Sequence, residues 1–446
     1  MNSEQQYIDL YTQHREMIDR HSAPPLNRLR ASACERLQRL GLPDTRQEAY
    51  RYTHIGKLLE PDFGINLNRL DFPLNPYDVF KCDVPNMSTQ LYFLVNDQFH
   101  PAHGVPALPE GVEFGSLKEA AERFPQVVER YYGGLSEQHE DGVTALNTLL
   151  AQDGVYFYVP RGVVVERPIQ LVNVLRSNRD LMANRRLLII LEEGAQARLL
   201  ACDHAMDEVN FLATQVVEAY VGEGASLDFY ELEQTHARSV RISQLYVRQE
   251  AHSHVSLCGM TLTGGTTRNS VRVELAGEGA ELQMDGMVIA DGRQHVDNHT
   301  LIDHQAPSCT SYELYKYVLD GEAVGAFAGE VIVRPGAQHT VARQTNRNLC
   351  ATPESRMYTQ PQLEIYADDV QCSHGATVGQ LDESALFYMR QRGIPEHEAR
   401  LLLMFAFLGE VVDAIRLDAL RDRLHLLVEK RFRGELNKCD GCKICK

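Results

Sequence analysis

The residues of this chain best suited to do chemistry are thiols and imidazoles. Cys372-Ser373-His374 places a thiol and an imidazole two positions apart. In an extended segment both project to one face, and a soft sulfur beside a ring nitrogen suits a transition metal. Two ligands do not close a four-coordinate site, so the rest must come from elsewhere in the chain or from a partner. A buried thiol next to a hydrogen-bonded core histidine would give the same pattern. The stretch CDGCKIC carries Cys439, Cys442 and Cys445 in two overlapping C-x-x-C spacings. Successive thiolates so spaced wrap one zinc ion or one iron–sulfur cluster. Here too a ligand is missing, and water, another residue or another molecule must supply it. The alternative is a flexible thiol tail with adventitious metal affinity.

The other histidines are weaker candidates. His252 and His254 would share one face of a strand, as a metal pair would, although an exposed polar strand face reads the same way. His295, His299 and His304 lie close together beside Asp297 and Asp303, but their spacing mixes strand faces, which argues against a single site. Several enzyme signatures are absent from the sequence. There is no GxxxxGK[ST] phosphate loop, since Gly56-Lys57 is followed by Leu58, so the chain is not expected to hydrolyse ATP alone. GxSxG, HExxH and a GxGxxG after a strand are also missing. No catalytic residue stands out, and the chain is expected not to be an enzyme.

The elements that must position these groups fall into three stretches. Leu26, Leu29, Ala33, Leu37 and Leu40 recur at helical steps before Gly41-Leu42-Pro43, and a second helical stretch spans Arg46 to Leu59. Leu91 to Val95 reads as a strand, and residues 116 to 132 as a helix that Pro125 kinks or splits. From about residue 150, short runs rich in Val, Leu and Tyr read as strands, among them Val155 to Val159, Val163 to Val165 and Ile169 to Val174. A turn alanine recurs at Ala195, Ala225, Ala251, Ala280, Ala306 and Ala337, at intervals of 30, 26, 29, 26 and 31 residues. A steady period of roughly 20 to 50 residues marks stacked repeats, whose rungs share one core because no rung can bury its own apolar face. A β-sandwich with regular hairpins is the competing architecture. After residue 380 the pattern is helical again. Asp382 is a cap, Gly393 a stop, Pro395 a new start, and Leu417, Leu420, Leu424 and Leu427 form one stripe. The expected division is 1–145 helical and mixed, 146–380 stacked strands, 381–436 helical, and 437–446 the cysteine tail.

With 44 Lys and Arg against 61 Asp and Glu, the net charge of −17 opposes nucleic-acid binding. Arg416 to Lys446 carries nine basic residues against five acidic ones, which suits a helix facing a protein partner better than a groove for DNA. The apolar run Leu401 to Leu408 is far short of the roughly 20 residues that cross a bilayer. The polar first residues lack a secretory h-region. A cytoplasmic protein with reduced thiols and no membrane contact is expected.

The segment PQLEIYADDVQCSHGATVGQLDESALFYMRQRGI (Pro361 to Ile394) closely resembles the SufD proteins of the Suf iron–sulfur cluster assembly system, within the SufB/SufD family. GAFAGEVIVRPGAQHTVARQTNRNLC (Gly325 to Cys350), ALNTLLAQDGVYFYVPRGVVVERPI (Ala145 to Ile169) and RQEAYRYTHIGKL (Arg46 to Leu58) are similar to that family too. The likeness spans about residues 40 to 415, is weak before that and is absent in the tail. CSHGAT sides with SufD, because the SufB segment has a glutamate where this chain has Ser-His-Gly.

The resemblance implies a mainly β chain: a right-handed parallel β-helix core flanked by α-helical N- and C-terminal regions. It implies a complex with a SufB paralogue and SufC ATPase subunits, the latter docked on the C-terminal helices. It also implies a cluster forming transiently at the interface with SufB, with His374 as a ligand and Cys372 beside it, and nothing bound tightly to the isolated chain. Two other functions stay open: a SufB-like principal scaffold acting as a homodimer with the tail cysteines as ligands, and a polysaccharide-active β-helix enzyme. An edge strand left without the paralogue could pair with a second copy.

Overall fold

The computed structural model describes residues 3–70, 75–79, 89–101 and 104–435. From Val155 onward, successive strands are dealt alternately to two sheets, and each strand pairs in parallel with the next but one in sequence. The result is a parallel β-solenoid of about eight turns with helices at the N- and C-terminal regions. Mixed hairpins of a sandwich are ruled out by this order. One sheet ends at Arg356–Ile365 and the other at Val370–Gly379, so these two strands form the last rung. At the opposite end Glu113–Ser116 and Gln98–His100 pair antiparallel with their neighbours.

The alanine period reflects the rungs, but not all six alanines hold one position. Ala195, Ala225 and Ala280 do, each accepting a hydrogen bond from the next turn: Ser226 N to Ala195 O at 2.8 Å, His254 N to Ala225 O at 2.9 Å and Thr310 N to Ala280 O at 3.0 Å. In the other turns the same slot belongs to Ser253, whose carbonyl accepts from Glu281 N at 2.9 Å, and to Cys309, which accepts from Val341 N at 3.0 Å. Ser253, like Ala195 and Cys309, has no solvent exposure. The slot requires a small side chain rather than alanine itself. Ala251, Ala306 and Ala337 lie in turns of differing length. At Gly277 an added Cβ would run into the backbone of Ala251 in the neighbouring turn. Gly277→Ala is therefore expected to destabilise the chain by about 1–3 kcal/mol, read as a lower urea midpoint. An unchanged midpoint would show that the turns have slack.

Between the sheets lies an apolar core that includes Phe157, Ile189, Phe229, Leu257 and Phe327. The two helical regions cover opposite sheets. Ser3–Arg20, Arg30–Leu40 and Gly142–Leu150 pack on Met182, Leu212 and Ile242 of one sheet. Glu383–Gln391, Glu396–Asp413 and Asp418–Phe432 pack on Leu200, Cys258, Met260 and Met287 of the other. The 116–132 helix is split as Pro125 requires, into Leu117–Arg123 and Pro125–Tyr131, with the Ser116 hydroxyl accepting from Glu119 N at 3.1 Å. The helix expected over Arg46 to Leu59 shrinks to the turns Glu48–Tyr50 and Ile55–Leu58. Tertiary contacts hold that segment instead: Arg268 donates to Ala49 O at 2.6 Å, and Thr53 donates to Asp297 Oδ2 at 2.6 Å. Val163 to Val165 makes a single bridge, Val164 to Gln196. Among the described residues, no helix is long and apolar enough to cross a membrane.

Candidate functional site

In-register stacking turns single residues into rows that run the length of the solenoid. One inward row reads Leu199, Phe229, Leu257, Met284, Glu313, Gln344, His374. It is apolar for the earlier rungs and polar for the last three. The adjacent inward row reads Ala197, Leu227, Val255, Leu282, Ser311, Ala342, Cys372. Cys372 and His374 thus share the inner face of Val370–Gly379, as the two-residue spacing requires.

Cys372 is half-buried against the core and His374 is exposed. Burial pushes the Cys372 thiol up, partly offset by the Ala342 backbone. Behind His374, Gln344 is 2% exposed and donates from Nε2 to Glu313 Oε2 at 2.6 Å. Burial pushes the Glu313 carboxyl up to about 7, against the opposing pull of the hydrogen bond from Gln344.

Beyond this rung, the outer edge of Val370–Gly379 has no strand partner among the described residues. Tyr358, Ile365, Tyr366 and Val378 are exposed around it. Among the described residues, no three His, Cys, Asp or Glu side chains converge to hold a metal ion. Cys372 and His374 form a candidate half-site on an edge with no further strand partner among the described residues.

The remaining histidines are separated by the fold. His252 sits in a turn at φ 54°, outside the strand that starts at His254, and His254 pairs with Glu281 at 3.0 Å. His304 faces inward and shares a 2.9 Å hydrogen bond with Ser311, its imidazole pushed down to about 4 by burial. His295 shares a 2.9 Å hydrogen bond with Thr53 on the outer face. His299 is pushed down to about 3, chiefly by burial and then by Arg268 and Arg272. Cys439, Cys442 and Cys445 lie outside the described residues. Sequence reasoning missed Glu313 and Gln344. They reach the half-site only through strand register, which no local motif encodes.

Two family models match almost end to end: the SufBD protein N-terminal region over residues 1–171, and the SufBD core domain of the SUF system for FeS cluster assembly over residues 174–407. The chain belongs to the SufBD family. It is 28% identical over 412 residues to an iron–sulfur cluster assembly SufBD family protein of Synechocystis, covering 90% of each chain. The iron–sulfur cluster assembly protein SufD of Escherichia coli is 26% identical over 407 residues, covering 90% of this chain and 92% of that one. SufD of Bacillus subtilis is 25% identical over 446 residues, covering 97% and 99%. Membership places this SufBD chain among iron–sulfur cluster assembly proteins, and the half-site lies within the matched core.

Proposed function

We propose that this chain is a non-catalytic scaffold subunit of the Suf machinery, whose last rung meets a SufB-type paralogue to form the assembly site. The observation that carries this reading is the half-site. Cys372 and His374 project from an edge strand, and among the described residues too few ligands converge there to hold a cluster. The cluster is cargo, completed by ligands from the partner and then passed on. The C-terminal helices are the docking face for a SufC-type ATPase, which supplies the phosphate loop this sequence lacks. Phe387, Tyr388 and Leu402 on those helices are exposed, at 63%, 59% and 46%.

Movement of the docked ATPase has a short route to the half-site. Glu410 of Glu396–Asp413 pairs with Lys316 at 2.6 Å and Arg347 at 3.0 Å, and Arg347 lies on the strand that pairs with Val370–Gly379. ATP-driven closure of the ATPases pulling on these helices would shift the last rung and open or close the site.

The test is anaerobic reconstitution with the paralogue and the ATPase. His374→Ala is expected to lower cluster formation about tenfold or more while the complex still assembles; undiminished formation would remove its ligand role. The tail thiolates Cys439, Cys442 and Cys445 are assigned to transient iron holding. Deleting residues 437–446 should then lower the iron content of the purified chain, and equal iron content would end that assignment.

A further inference from the structure

Gln344 is held with unusual economy for a side chain that borders a half-site. Its Nε2 is spent on Glu313 Oε2 at 2.6 Å, yet its Oε1 is buried and has no hydrogen-bond partner. An unpaired buried carbonyl costs free energy, so its retention calls for a reason. Stereochemistry supplies a direction. The two polar atoms of a primary amide point to opposite sides, so when the nitrogen of a stacked side chain reaches back to the preceding rung, the oxygen faces the following one. The residue in register on the following rung is His374.

A second observation shows that the amide's place is built. From the opposite sheet Gly329 faces it, and a Cβ there would collide with Gln344 Nε2. Any larger residue would push the amide off its line. Glu313, its carboxyl pushed up by burial, fixes the other end.

We propose that Gln344 is a positioning residue for His374: its Oε1, which has no partner in this structure, accepts one imidazole N–H when the exposed ring turns back over the rung. The acceptor selects one neutral tautomer and leaves the other ring nitrogen unprotonated and turned outward to the open edge. A ligating histidine usually spends its second nitrogen in this way. The inference rests on the half-site reading above, but its test does not.

The full-length, metal-free chain, labelled with 15N in its imidazoles, is observed by NMR in alkaline buffer. The His374 signal is the one lost in His374→Asn. The wild-type tautomer ratio is expected to change by about two- to tenfold in Gln344→Leu, the factor that one net hydrogen bond supplies. Gly329→Ala displaces the amide without changing its polarity and is expected to behave like Gln344→Leu. A ratio unchanged in Gln344→Leu overturns the proposal, and Gly329→Ala serves the same purpose should that variant not fold. If the ratio depends on Gln344 while His374→Ala leaves cluster formation intact, the positioning stands and the ligand role falls. The reverse result removes the positioning alone.

Discussion

Replacing Glu218 by alanine is expected to cost about 3–5 kcal/mol of stability, the usual penalty for stranding a buried charge. Glu218 and Arg186 are each 1% exposed and meet at 2.9 Å on the face of the solenoid beneath the N-terminal region. The carboxylate also accepts the backbone N–H groups of Gly133, Leu135 and Ser136 at 2.8, 3.0 and 2.9 Å. Arg186 meanwhile donates to Ser136 Oγ at 3.0 Å and Thr148 Oγ1 at 3.1 Å, and lies over the Tyr132 ring. Truncation would leave one guanidinium short of its counter-charge and three amides without an acceptor. The loss should appear as a lower urea midpoint together with faster proteolysis between residues 132 and 150. A change under about 1 kcal/mol, the worth of an exposed pair, would show that water reaches the pair.

The second large effect is expected inside the solenoid. Asp203 is 5% exposed and accepts from Arg185 Nη1 at 2.7 Å, Arg241 Nε at 2.7 Å and Asn173 Nδ2 at 2.8 Å. Burial alone would raise the Asp203 carboxyl, but the guanidinium groups of Arg185 and Arg241 hold it below the usual carboxylate range. Arg241 continues the network to Glu231 at 2.6 Å and to Asn269, and Arg185 also donates to Asn96 O at 2.9 Å. Asp203→Ala should cost about 3–5 kcal/mol by leaving buried Arg185 without its ion-pair partner and Arg241 with Glu231. Replacing Arg185, Asp203 and Arg241 together with Met, Leu and Leu should recover most of that loss, because the large term is the unpaired charge rather than the worth of the network. Equal losses in the single and triple variants would mean that the network itself holds the sheets in register.

The contrast between these residues and the half-site shows what a sequence discloses. Cys372 and His374 were legible because two positions along a strand fix a common face. The stack was legible because Ala195, Ala225 and Ala280 repeat through a slot that admits only small side chains. Ser253 and Cys309 fill the same slot, but turn lengths vary, so a count based on alanine alone drifts out of phase at Ala251 and again at Ala306. An error of one residue in register moves every side chain to the other face. That is why Glu313 and Gln344 could not be placed behind His374, and why no local motif puts Arg185, Asp203 and Arg241 between the sheets. Arg46 to Leu59 failed for a different reason. Its helical spacing is real, but the contacts of Ala49 and Thr53 with Arg268 and Asp297 outweigh local propensity.

The two ends of the solenoid are unlike, and this limits how such molecules can associate. A parallel stack with two matching ends is a template for unlimited head-to-tail polymerisation. Here Val370–Gly379 and Arg356–Ile365 could continue the ladder, whereas Gln98–His100 and Glu113–Ser116 run antiparallel and break its direction. Among the described strands, a neighbour's last rung finds no edge at that end that continues the ladder's direction. The described strands thus offer a continuing parallel ladder at one end only, and the antiparallel strands act as a chain terminator against head-to-tail growth.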